Sequence, residues 1–193
     1  GEISEASKKA EAITEVQLEE LKNITFDVSD MNIKDASKLT LVKYVKLPDG
    51  TVTEVKLGGK LDEEAKTFTG LVECSGYYGI IEAESLIKIS LTINSNIGAV
   101  NDNETTIKAP MLVDDITYVP LRFIAEGLGA EVKWEAATKT VILELDGETI
   151  KVDMRKDGII KDSTAYVPLR YVSEGLKAHV LWIPDVKGIL VVK

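Results

Sequence analysis

The spacing of apolar positions changes along the chain. Ala6, Ala10, Ile13 and Leu21 recur at near-helical intervals in an Ala-, Glu- and Lys-rich stretch, so residues 3–22 are expected to form a short helix or a frayed lead-in segment. Glu5 and Lys9 are a favourable i,i+4 pair, whereas Glu11, Glu15 and Glu19 stack like charges on one stripe. From Asn23 the period becomes two. Ile24, Phe26 and Val28 alternate with Thr25, Asp27 and Ser29, the pattern of a half-buried strand. A second strand, apolar on both faces, is predicted over 39–47, and the turn Pro48-Asp49-Gly50-Thr51 leads into a third over 52–57. Residues 67–73 and 77–83 read as a further hairpin around Ser75-Gly76. Short strands joined by turns predict a β-sandwich over residues 23–84.

Glu82 to Ser85 is a short polar joint, and a domain boundary is expected near residue 85. Beyond it Ile87, Ile89, Leu91 and Ile93 alternate with polar residues. A hairpin is then predicted from Ile97 to Val100 and back through Asn101-Asp102-Asn103. The strongest signal in the chain follows. Tyr118-Val119-Pro120-Leu121-Arg122 recurs as Tyr166-Val167-Pro168-Leu169-Arg170, and the match continues without gaps through Glu126-Gly127-Leu128 and Glu174-Gly175-Leu176 to Trp134 and Trp182. Eleven of the seventeen aligned positions are identical, which marks a duplicated unit, with repeats at 118–145 and 166–193 in a domain spanning 85–193.

Each repeat reads alike. The residue before proline is extended, and Pro120 and Pro168 are expected at the first helical position, where a missing N–H costs nothing. Leu121, Ile124 and Leu128 form an apolar stripe that Leu169, Val172 and Leu176 repeat. Gly129 stops the first helix, but Lys177 stands in its place in the second, so that end needs another cap. A tryptophan-bearing strand and a further strand close each repeat, and Ile150, Val152 and Met154 make another strand between the two. The predicted class is mainly β with α+β: an Ig-like N-terminal β-sandwich, then a duplicated antiparallel-sheet-plus-helix domain.

Two features break local rules. Arg122 precedes Glu126 by four residues, and Arg170 precedes Glu174, the less favoured order on a helix. Two of the chain's three arginines hold this equivalent place, so tertiary bonds to strand carbonyls or to carboxylates such as Asp114 and Asp162 are expected. Gly127 and Gly175 sit inside helices at a cost of ~1 kcal/mol each against alanine, which predicts a close approach of helix to sheet or helix to helix.

Composition narrows the function. The 193 residues carry 23 Lys plus Arg against 32 Asp plus Glu, a formal charge of −9. A nucleic-acid backbone would be repelled, so nucleic acid is not an expected partner. No apolar run reaches the ~18 residues of a membrane span. One cysteine, Cys74, permits no internal disulfide, and one histidine, His179, permits no multi-histidine metal site. The first residue is Gly rather than Met, and a removed signal peptide is the expectation.

On the paired Val-Pro-Leu-Arg…Glu-Gly-Leu…Val…Trp motifs, residues 86–193 resemble the copper amine oxidase N-terminal-like domain of secreted and surface proteins of Gram-positive bacteria. That resemblance implies a twisted antiparallel sheet curled around helix and, in full-length oxidases, a stalk remote from catalysis. Lys177 in place of the usual glycine and a short segment between the units depart from the family pattern. The resemblance carries no oxidase activity: that chemistry takes three histidines for copper and a tyrosine in an Asn-Tyr context. This chain has one histidine, and none of Tyr44, Tyr77, Tyr78, Tyr118, Tyr166 and Tyr171 follows Asn. Lys43 through Pro48-Asp49-Gly50 to Gly76-Tyr77-Tyr78 also resembles immunoglobulin-like modules of bacterial surface proteins.

The remaining candidates favour bland roles. His179 and Cys74 lack nucleophile or base partners and are read as structural. Asn101-Asp102-Asn103-Glu104 lacks the glycine of a calcium loop and reads as a solvated turn. Asp114/Asp115 is a carboxylate pair of the kind acidic surfaces carry. Arg122 and Arg170 read as members of structural ion pairs, with an anionic ligand as the alternative. Trp134 and Trp182 read as core residues, with stacking on sugar rings as the alternative. No catalytic residue and no cofactor are expected. The functional expectation is a non-catalytic spacer, stalk or assembly domain of an extracellular or cell-surface protein, or else a cell-wall or glycan binding module using Trp134/Trp182 or Arg122/Arg170. Its expected partners are other domains or surface proteins, a cell-wall polymer, or further copies of itself.

Overall fold

The structure is a computed structural model and describes residues 17–193. The chain divides into two compact units, Gly1–Leu86 and Ile87–Lys193, and every strand pairing among the described residues is antiparallel. Among the described residues the class is mainly β with two short α-helices, as the alternating patterns predict.

Among its described residues the first unit has six strands: β1 (Gln17–Asp27), β2 (Leu39–Lys46), β3 (Val52–Gly58), β4 (Lys60–Asp62), β5 (Thr67–Cys74) and β6 (Tyr77–Glu82). They form two three-stranded sheets, ordered β1-β5-β4 and β3-β2-β6. Leu39, Leu41 and Leu57 of one sheet meet Phe68 and Val72 of the other in a shared buried core. In β5 every second residue from Phe68 to Cys74 is buried, and Gly70 lets Leu41 in: a Cβ there would lie 2.6 Å from Leu41 Cδ2.

Two expectations fail here. Of the helix expected over 3–22, residues 1–16 lie outside the described residues, and Gln17–Lys22 is strand. Pairing with β5 shifts register between Gln17 and Lys22, so half-buried Leu18, Leu21 and Ile24 fall three apart and imitate a helical period. The hairpin around Ser75-Gly76 is also absent. β5 pairs with β1 and β4 while β6 pairs with β2, so these residues carry the chain from one sheet to the other. Periodicity gives a strand its faces but does not choose its neighbour.

The second unit begins with β7 (Lys88–Thr92), β8 (Ile97–Val100), β9 (Asn103–Thr106), β10 (Met111–Val113) and β11 (Ile116–Pro120). Helix α1 (Leu121–Gly127) precedes β12 (Glu131–Glu135), β13 (Thr140–Leu145) and β14 (Glu148–Asp153). The repeated unit is longer than its sequence motif, because each copy opens on a hairpin: β10–β11 in the first, and in the second β15 (Ile159–Lys161) and β16 (Thr164–Pro168), followed by α2 (Leu169–Gly175), β17 (His179–Ile183) and β18 (Gly188–Val192). Three sheets result, ordered β10-β11-β16-β15, β12-β13-β14 and β17-β18-β7-β8-β9.

The repeats meet about a pseudo-twofold axis. Val119 faces Val167, its own counterpart, while Tyr118 faces Pro168 and Pro120 faces Tyr166, so each repeat offers the other the same three residues. Both prolines close a strand and cap the helix rather than opening it, a correction to their expected position: their extended ψ values, 110° and 139°, are set by this ladder. Ile124, Leu128, Val172 and Leu176 are buried in one core with Leu143, Val152, Ile189 and Val191.

The symmetry extends to a strand outside the repeats. Val141 and Leu143 of β13 face Val152 and Ile150, whereas Ile189 and Val191 of β18 face Leu91 and Ile89. Met154 N–H bonds Lys139 O at 3.0 Å, and Ile93 N–H bonds Lys187 O, the equivalent lysine, at 3.0 Å. β7 therefore does for the second repeat what β14 does for the first. Ile87 and Lys193 close the ring by exchanging backbone bonds of 2.8 and 3.0 Å.

Candidate binding site

The tryptophans are not core residues. Trp134 is 45% exposed and Trp182 38%, which overturns the core-packing expectation. The cause is position along the strand. In β12 Val132 packs on the core, and Trp134, two residues on and on the same face, lies beyond it where the strand runs into a polar turn. Trp182 stands at the same point of β17.

Trp134 overhangs a cleft of about 540 Å³, within the ~300–1,000 Å³ of small-ligand sites. Leu121, Val132 and Val141 floor it. The opposite wall comes from the other repeat: Ile160 of β15, which is 47% exposed, and Ser163, Thr164 and Ala165 at the β15–β16 turn. Arg122, in the first turn of α1, and Lys133 supply the charged lining, and no carboxylate lines the cleft. Arg122 Nη1 lies 3.2 Å from Glu126, and Lys133 Nζ lies 3.2 Å from Glu131 and 3.0 Å from Glu144. Bonds from both glutamates raise the Lys133 pKa, so it stays charged.

The equivalent place in the second repeat differs. Arg170 Nε lies 3.6 Å from Glu174. The positions matching Ile160, Ser163 and Thr164 are Leu112, Asp115 and Ile116, with Leu112 56% and Ile116 46% exposed. Two hydroxyls are thus exchanged for a carboxylate and an aliphatic chain.

The structure brings Arg122 and Trp134 to one cleft, while Glu126 is outside its lining as the ion-pair partner of Arg122. Arg122 finds its ion pair one helical turn away, not at Asp114 as expected, and Arg170 pairs likewise with Glu174 rather than Asp162. Asp114-Asp115 and Asp162-Ser163 are instead two-residue hairpin turns with both φ positive, from 48° to 62°, a conformation that short polar residues tolerate. Asn101-Asp102 is a third such turn, tied to β7 by Lys88 N–H to Asn101 Oδ1 at 2.8 Å. Cys74 is buried with Lys43 Nζ 3.0 Å from its sulfur, and His179 opens β17 opposite Val192. Ile160, Ser163 and Thr164 were missed in the sequence because they come to Trp134 from the distant β15–β16 hairpin, and Lys133 was missed although it is Trp134's neighbour on β12. No local signal marked the exposure: β12 has one aliphatic residue and β17 three, yet Trp134 and Trp182 are both exposed.

This is a duplicated, mainly β module whose open cleft holds an aromatic platform and no acid–base pair. The family described as the copper amine oxidase N-terminal domain, a non-catalytic domain family, matches residues 76–143, which take in β6 to most of β13 and so the motif of the first repeat. No curated protein and no solved structure matches the chain. The donor set does not fit copper: there is one histidine, and among the described residues no three of His, Cys, Asp and Glu converge. Among the described residues no helix is long and apolar enough to cross a membrane.

Proposed function

We propose that the chain is a non-catalytic interaction module of an extracellular or cell-surface bacterial protein, presented sideways from its parent rather than bearing load in line. The observation that carries this reading is the closure of the second unit. Ile87 and Lys193 are hydrogen-bonded neighbours at one end of the β7–β18 pair, so force applied at these two residues acts on one end of that pair. An in-line spacer profits from ends at opposite poles. Tension across adjacent ends peels an antiparallel pair one bond at a time, whereas tension from opposite ends shears all its bonds together.

Single-molecule pulling tests this. Handles at Ile87 and Lys193 should open the second unit at a much lower force than handles at Ile87 and Lys187, which load the same two strands in shear. Equal forces would return the load-bearing stalk to first place. A second reading, polymer binding, is favoured by the exposure of Trp134 over its cleft.

A further inference from the structure

The polymer-binding reading is deepened by the charges at the cleft, on which the following rests. We infer that the Trp134 cleft binds a neutral polysaccharide. Arg122 and Lys133 are each matched by carboxylates at the rim, Glu126 for one and Glu131 and Glu144 for the other. A polyanion would have to displace those carboxylates and approach a chain of charge −9. A second copy of this chain would bring the same repulsion. An uncharged sugar meets neither penalty. Its hydroxyls both donate and accept, so the Arg122 guanidinium and the Lys133 ammonium serve it together with Ser163 and Thr164. Its C–H face needs an exposed aromatic plane beside apolar surface, which Trp134 and Ile160 provide.

Around Trp182 the positions matching Ser163, Thr164 and Ala165 are Asp115, Ile116 and Thr117, and Lys133 is matched by buried Leu181, so binding belongs to the Trp134 cleft. Trp182→Ala is therefore the internal control.

The test is retardation of the full chain in gels containing neutral xylan or β-glucan, or acidic polygalacturonate, with thermal unfolding run on every variant. Retardation by a neutral polymer is expected. It should fall at least about tenfold on Trp134→Ala, as loss of one buried indole face implies, recover in part with Trp134→Phe, and survive Trp182→Ala. It should also be unchanged from about 50 to 500 mM salt, unlike a charge-driven contact. Retardation by polygalacturonate alone, weakened by salt, would overturn the neutral ligand while leaving polymer binding standing. No retardation by any polymer would remove polymer binding itself. Equal losses for the two alanine variants would overturn the assignment to this cleft, as would concentration-dependent dimerisation abolished by Trp134→Ala.

Discussion

The two repeats of the second unit share eleven of seventeen residues across their central motif, yet they are completed differently. The first carries its third strand, β14, directly after β13 through the turn Asp146-Gly147, whose φ values are 52° and 77°. In the second, β18 pairs instead with β7, which lies ahead of both repeats. The difference teaches that the folding unit is not the sequence repeat. The repeat supplies a hairpin, a helix and two strands, and the fold needs one strand more from wherever the chain can provide it.

The largest expected effect comes from breaking that closure. Ile89 and Leu91 are buried, and burial of two such side chains contributes ~3–6 kcal/mol, much of the ~5–15 kcal/mol of a typical domain. Residues 94–193 should therefore lose cooperative thermal unfolding, while 87–193 should keep it. A circular permutant joining Lys193 to Ile87 through an Asp-Gly turn and opened at Asp146/Gly147 should fold, because it only moves the gap to the equivalent site. Cooperative unfolding of 94–193 would show that β7 is an accessory strand.

How much of this was legible follows from which interactions are local. Strand faces, the duplicated helices and the type of fold follow from periods of two and from Val-Pro-Leu-Arg, since each residue reports its own burial. Partner choice does not. Nothing in Ile87, Ile89 and Leu91 says that they pair with Ile189 and Val191 a hundred residues on, and nothing in Ser75-Gly76 separates a hairpin from a sheet crossing. The cleft was half legible: Arg122 and Trp134 lie in the repeat itself, but Ile160, Ser163 and Thr164 arrive by tertiary pairing. Lys177 was flagged as a departure from Gly129, and the structure shows the chain accepting the strain: Lys177 takes the left-handed conformation at φ 52°, its ammonium 2.8 Å from Glu148.

A middle-sized effect separates the helical glycines. A Cβ at Gly127 would lie 2.7 Å from Ile89 Cδ1 and 3.3 Å from Val100 Cγ2, the close helix-to-sheet approach expected of it. At Gly175 the nearest atoms, at 2.8 Å, belong to the Tyr171 ring one turn earlier in the same helix. Ile89 is fully buried and has nowhere to move, whereas Tyr171 is only half-buried. Gly127→Ala should cost ~1–2 kcal/mol, overpacking exceeding the gain in helix propensity. Gly175→Ala should change stability by less than ~0.5 kcal/mol, as the ring turns aside and propensity offsets the rest. Denaturant titration measures both. Equal losses would mean that Tyr171 is as fixed as Ile89.

The smallest effect is a pH dependence confined to the first repeat. Asp153 ends β14 with its carboxylate bonded to Arg155 Nε at 2.8 Å and Nη2 at 2.7 Å, and to the Arg155 backbone N–H at 3.0 Å. The side-chain bonds, then the backbone bond, hold its pKa at about 2, below the usual 3.8. The register equivalent in β7 is Thr92, which has no charge to lose. A carboxylate with a lowered folded pKa stabilises fully above its unfolded value and loses that contribution as pH falls through the folded one, here between about 4 and 2. Asp153→Asn should therefore be slightly less stable than the parent at pH 6, with the gap closing across that window. Thr92→Val, at the equivalent turn, should show no such convergence. A gap for Asp153→Asn that stays constant down to pH 2 would mean that the asparagine disturbs the turn rather than removing a charge.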